Sequence, residues 1–191
     1  ARLGTMMRAR KLLWMALLAM PMAAAAYHGG APICHADDIL NSPMGDPIEN
    51  MGYLLVATPA QYTPGVAMTL TLTNVGSLSD VRGVLLYVED PDALDAELRP
   101  IKRGNFTVPY PAGIKAVFDG YLGCDFAGQT PVLTHADASQ KALPLQFNWQ
   151  PPAIDTGPLR VRAIALMTFN SYQLLSLELP SINHLFTDSF E

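Results

Sequence analysis

The chain has 191 residues, half of them hydrophobic and only 15% charged, with 17 acidic residues against 12 basic ones and a formal net charge of −5. A field of that sign repels phosphate and sulfate groups and argues against nucleic acid as a partner. The length fits one domain with a sizeable core, and 16 prolines and 14 glycines punctuate it into short segments, with no internal repeat and no long amphipathic helix.

The first element in chain order reads as a leader. Arg8-Ala9-Arg10-Lys11 precedes an apolar run from Leu12 to Met20, and Ala23 to Ala26 supply the small residues that signal peptidase accepts. The pattern predicts a secretory signal cut after Ala26, with Met6 or Met7 as the start and residues 1–5 as upstream sequence. A membrane anchor fits less well, because the apolar run falls short of the roughly 20 residues that span a bilayer. Cleavage would remove Arg2, Arg8, Arg10 and Lys11. The basic count then falls from 12 to 8 against 17 acids, and the net charge moves from −5 to about −9.

Next come His28 and His35, which flank Cys34 with Asp37 and Asp38 close behind. A free amine at Tyr27 beside His28 has the donors to chelate Cu(II) or Ni(II). A copper enzyme of the polysaccharide-oxidising kind needs His as the first mature residue, and cleavage before His28 would put Tyr27 where a small residue belongs. No metal site and no cofactor is expected.

From there the signal is period two. Val66, Met68, Leu70 and Leu72 alternate with Ala67, Thr69, Thr71 and Thr73, which predicts a strand with one buried face. Leu145, Phe147 and Trp149 alternate with Gln146, Asn148 and Gln150, and Leu159, Val161, Ala163 and Ala165 form another row with Arg160 and Arg162 held outward. Further strands are expected at 52–58, 83–89, 105–109, 113–118, 131–134 and 172–179, and a short helix or an excursion between sheets at 90–99. Short strands separated by Pro/Gly turns predict an all-β fold, an immunoglobulin-like antiparallel β-sandwich of about seven to nine strands. Trp149 and Phe147, in register with Leu145, are expected as core anchors.

The residues with chemistry to offer are few. Glu89, Asp90, Asp92, Asp95 and Glu97 form an acidic run that lacks EF-hand spacing and reads as a solvated loop. Asn105-Phe106-Thr107 is an N-glycosylation sequon. Thr134-His135-Ala136-Asp137-Ala138-Ser139 contains the ingredients of a Ser-His-Asp set, but residues so close cannot readily align as nucleophile, base and orienter, and no nucleophile elbow exists. Asp137 and Ser139 read as turn formers. The two cysteines both follow the leader, and in an oxidising compartment an even pair reads as one disulfide, Cys34 to Cys124. The far end, Asn183 to Glu191, resembles the short Phe-x-Asp-Gly-Phe-Glu tails of exported gammaproteobacterial proteins, with Ser189 in place of Gly.

The order of these features carries a family resemblance. Cys124, Thr134-His135, Lys141 and the close Phe147-Asn148-Trp149-Gln150-Pro151-Pro152 resemble the reeler pattern of Cys, Thr-His-Ser, Lys and aromatic-x-Trp-x-x-Pro. Tyr27-His28-Gly29-Gly30-Ala31-Pro32-Ile33-Cys34 resembles the opening of secreted, defence-type reeler proteins. Tyr62-Thr63-Pro64-Gly65 and Val81-Arg82-Gly83-Val84-Leu85-Leu86 resemble two of the family's strands. The resemblance covers residues 27–180, between the leader at 1–26 and a tail at 181–191. It implies an extracellular β-sandwich with equivalent cysteines paired.

The resemblance further implies roles in matrix, adhesion or defence, hence a secreted, non-enzymatic module that binds an extracellular glycan or protein, either outside the cell or in the periplasm. Loops 74–80, 90–103 and 124–129 are the candidate binding loops by position. The alternative is an exported partner subunit of a metal or haem redox system, since reeler domains are sometimes fused to haem-binding modules. This sequence lacks the transmembrane helices and paired His of such a cytochrome. Direct membrane attack disagrees with the acidic charge.

Overall fold

A computed structural model of the protein describes residues 29–117, 124, 126 and 129–183. The expected leader at 1–26, Tyr27, His28, His184 and most of the expected tail lie outside the described residues, as does part of the 124–129 loop. The described residues are almost all β, in antiparallel sheets.

One sheet has four strands in the order β1 (Tyr53–Thr58), β2 (Met68–Asn74), β10 (Leu145–Gln150) and β6 (Asn105–Thr107). The facing sheet runs β12 (Ser171–Leu179), β11 (Leu159–Thr168), β4 (Gly83–Leu94), β8 (Val132–His135) and β7 (Ile114–Ala116), with β5 (Pro100–Lys102) paired to the outer half of β4. A small ladder of β3 (Asp80–Val81) and β9 (Lys141–Ala142) closes one end. Of the twelve strands among the described residues, nine lie where strands were expected, and β3, β5 and β9, of two or three residues each, are additional.

Alternation explains the core. Leu70 and Leu72 of β2 and Leu145, Phe147 and Trp149 of β10 face Val84, Leu86 and Val88 of β4 and Val161, Ala163 and Ala165 of β11. Each such side chain contributes about 1.5–3 kcal/mol when fully buried. Trp149 and Phe147 are buried at the centre, with Tyr62 edge-on to Trp149 at 6.3 Å and Phe106 edge-on to Phe147 at 6.5 Å.

β4 departs from alternation because every residue from Gly83 to Asp90 is buried. Its second face, Leu85 and Tyr87, packs with Val132, Ile164 and Tyr172 under the N-terminal segment. That segment carries a 3-10 helix, Ala36–Asn41, whose Ala36 and Ile39 point inward. A strand buried on both faces reads as a continuous apolar run, as Val84 to Val88 does.

Two expectations are corrected. Val66 and Ala67 are exposed and precede β2, because the Val66 amide donates to Thr63 O and makes a turn there (3.0 Å). Residues 90–99 form neither a helix nor an excursion: β4 runs on to Leu94 and doubles back through a tight turn into β5. Pro91 sits where the ladder shifts register between Asp90 and Leu94, an irregularity that tolerates a residue without an N–H.

Candidate functional site

The β4–β5 hairpin starts with two carboxylates that burial would penalise unless paired. Glu89 accepts from Arg160 of β11 and Asp90 from Arg103, each at 2.9 Å. Burial pushes the Glu89 carboxyl up, and the Arg160 and Arg162 guanidinium groups oppose that shift. The acidic run is therefore not a uniformly solvated loop, since its first two members are buried in ion pairs. Asp95 turns the hairpin by accepting the backbone N–H groups of Glu97 and Arg99 at 3.0 and 2.8 Å, with Leu98 in the left-handed region at φ 60°.

Beyond β5 the chain must pass close to the core. Gly104 has φ +67°, and a Cβ there would lie 2.5 Å from Gln150 O and 2.6 Å from the Trp149 ring, so only glycine fits. The Trp149 indole N–H donates to Arg103 O at 3.2 Å, which ties the core anchor to the base of the hairpin.

The N-terminal segment is held against this end at several points. Cys34 is bonded to Cys124, with their Cα atoms 5.8 Å apart. Ala31 N donates to Thr134 Oγ1 and Ala36 N to the Tyr87 hydroxyl, both at 2.8 Å. Asp38 pairs with Arg99 at 2.9 Å, and Asp37 pairs with Arg162.

These elements enclose a cleft of about 1060 Å³ lined by the disulfide, His35, Asp38, Asp95, Arg99 and Lys102 among others. Lys102 is its chemical centre. Its Nζ lies 2.9 Å from His35 Nε2, 5.1 Å from the Tyr87 ring centre and 5.8 Å from that of Phe126. Burial lowers the ammonium to about 8, with Arg99 lowering it further and Glu89, Asp95 and Asp38 opposing. Burial, then Lys102 and Arg99, hold His35 near 4, so its imidazole is neutral at pH 7. Among the described residues, the ion pairs include none between Lys102 and a carboxylate.

The sequence-predicted residues fall into place unevenly. The 90–103 loop lines the cleft, together with Cys124, Phe126 and Gln129 from the 124–129 loop. The 74–80 loop is at the other end, because β2 and β10 run antiparallel with Leu145 opposite Leu72 and Trp149 opposite Met68. Phe147 and Trp149 lie in the core and not in the cleft. His35 meets a lysine. Among the described residues no group of three or more His, Cys, Asp or Glu side chains is arranged to hold a metal ion. No helix among them is long and apolar enough to cross a membrane.

The Thr-His-Ala-Asp-Ala-Ser stretch is a structural knot. Ser139 Oγ and N both donate to Asp137 Oδ1, while His135 Nδ1 sits 3.3 Å from Val84 N. Lys141, almost fully buried, donates to Arg82 O, Asp137 O and Ser139 O at 2.8–2.9 Å and clamps the turn. Sequence reasoning placed Lys102 in the candidate 90–103 loop without singling it out, since a lysine beside Arg103 after an acidic run reads as surface charge. Its only signal is its position two residues before the obligatory Gly104.

The reeler domain family model matches residues 40–178. A crystal structure of the human F-spondin reeler domain superposes with a TM-score of 0.57 at 17% identity, covering 78% of this chain and 99% of that one. A crystal structure of the Reelin-N domain of F-spondin gives 0.55 at 15% identity, covering 77% and 99%. A second human F-spondin reeler fragment gives 0.50 at 17%, covering 70% and 94%. At these identities the likeness is one of fold. No curated protein sequence matches significantly.

Proposed function

The chain belongs to the reeler domain family, and on that premise we propose that it is a secreted, non-enzymatic recognition module whose ligand, a glycan or protein outside the membrane, docks in the cleft beside the β4–β5 hairpin. The observation that carries this reading is convergence. Residues from two of the three candidate loops meet the disulfide-tied N-terminal segment around one opening, which mixes cations, carboxylates and aromatic faces. Immunoglobulin-like sandwiches bind through loops gathered at one end, and this cleft has that placement. The disulfide supports an oxidising compartment and so export. The acidic net charge supports a ligand other than nucleic acid.

The test is binding of the disulfide-intact chain from Tyr27 onward to arrays of cell-surface glycans and matrix proteins in physiological salt. A saturable hit that Glu97→Ala and Arg99→Ala weaken, and that a Ser77→Ala change at the opposite end leaves alone, supports the cleft. A hit with the reverse pattern moves the site to the other end. A blank array from folded protein removes the recognition reading.

A further inference from the structure

Three lysines lie among the described residues, and their surroundings differ. Lys141 is almost fully buried with its amine donating to three backbone carbonyls and to Asp137, an arrangement that closes it to reagents. Lys115, on β7, is half-buried on the other side of β8 from β4. Lys102 lines the cleft, its amine bounded by the faces of Tyr87 and Phe126 and by the ring of His35.

We infer that Lys102 is a covalent contact for carbonyl ligands, an amine that forms an imine with an aldehyde group entering the cleft. Desolvation against apolar surface beside other cations activates a lysine as a nucleophile. Burial supplies the first condition: Lys102 lines the cleft half-buried and, among the described residues, without a carboxylate in an ion pair with it, while Arg99 adds positive charge from the hairpin. The groups that oppose activation are Glu89 across the ladder, Asp95 on the hairpin turn, Asp38 on the N-terminal segment and the ring faces of Tyr87 and Phe126, which attract the ammonium. Asp38 and Arg99 pair with each other and offset one another at the amine, and Glu89 is engaged by Arg160. Burial therefore prevails and the amine sits near 8, with a substantial neutral fraction at pH 7.5.

The reaction balances without a further reactant. The Nζ lone pair attacks the carbonyl carbon, a C–N bond forms, and the carbonyl oxygen leaves as water with two of the amine's hydrogens. Ammonium plus aldehyde gives protonated imine plus water, with no net proton change. The neutral His35 imidazole lies beside the amine, with Nε2 at 2.9 Å and Nδ1 at 3.3 Å from Nζ.

The inference deepens the reading of the cleft as the ligand site and rests on it for the ligand's place. Its test reads the amine itself. The disulfide-intact chain is treated with glycolaldehyde and sodium cyanoborohydride at pH 7.5, and the label on Lys102, Lys115 and Lys141 is followed by peptide mass spectrometry. The expected result is labelling of Lys102 about tenfold faster than Lys115, a preference that disappears in urea. Equal rates in the folded chain, or a slower Lys102, overturn the inference. A fast Lys102 with a blank binding array leaves the amine standing and removes only the recognition reading.

Discussion

The side chain of Gln173 on β12 stands in for a missing neighbouring strand at Tyr53, the first residue of β1. Tyr53 N donates to Gln173 Oε1 at 3.2 Å, and Gln173 Nε2 donates back to Tyr53 O at 3.3 Å. Met51 N shares the same oxygen at 2.9 Å. β1 is the edge of its sheet, so without this amide its opening backbone groups would be buried and unpaired.

Replacing Gln173 by Leu is expected to cost about 1–3 kcal/mol, the penalty of orphaning buried backbone groups while keeping side-chain volume. Urea unfolding monitored by circular dichroism measures it. A neutral substitution would show that water reaches this edge.

Glu89 leads to a second prediction. Arg160→Met removes the partner of a buried carboxylate and is expected to cost about 3 kcal/mol at pH 7, while the double variant Glu89→Gln, Arg160→Met recovers most of that loss. Burial raises the Glu89 carboxyl in the folded state. A raised folded pKa favours the protonated folded form, so the contribution is present at low pH and lost as pH rises through the folded pKa. The deficit of Arg160→Met should therefore shrink between pH 7 and pH 5 in denaturant titrations.

What the sequence shows depends on how local its cause is. β2, β10 and β11 are legible because each presents one buried face, and period-two alternation is the direct trace of that burial. The continuation of β4 through Asp90 to Leu94 is hidden, since an acidic stretch with a proline looks like a loop until Arg160 and Arg103 neutralise its base. Gln173 is invisible for the same reason: its partner is 120 residues away. Thr134-His135 and Lys141 stand out as a pattern, and only the structure shows that Thr134 anchors Ala31 while Lys141 clamps a turn. The cleft was legible as two loops, and its amine was not.

Asp155 gives a pH prediction at the far end of the chain. Burial would raise its carboxyl, but hydrogen bonds from Gly157 N, Ser181, Asn183 and Tyr62 outweigh it and hold the group at about 2. A depressed folded pKa means that the contribution is present above the ordinary value of 3.8 and lost as pH falls through about 2. This carboxylate secures residues 181–183, where Ile182 N donates to Tyr62 O and Tyr62 N to Pro180 O. Asp155→Ala should speed amide exchange at Tyr62 and Ile182 about fivefold to tenfold near neutral pH, in line with the roughly 1 kcal/mol net worth of a hydrogen bond. The difference from wild type should fade below pH 3.

The disulfide sets the last prediction. It closes a separation of 90 residues, for which the chain-entropy relation gives about 4–5 kcal/mol as an upper figure. Its structural target is narrow: Cys34 lies in the segment that covers Leu85 and Tyr87, whereas the core between the sheets contains neither cysteine. The double variant Cys34→Ser, Cys124→Ser is expected to lose about 2–4 kcal/mol of stability and to bind a hydrophobic dye through the uncovered outer face of β4, with the β-sheet circular dichroism retained. Because His35 rides on the same segment, its contact with Lys102 should loosen as well, and the Lys102 labelling preference should fall in this variant. Retention of both the dye-free surface and the labelling preference would show that the salt bridges Asp38–Arg99 and Asp37–Arg162, with the Ala31 and Ala36 hydrogen bonds, hold the cover without the disulfide.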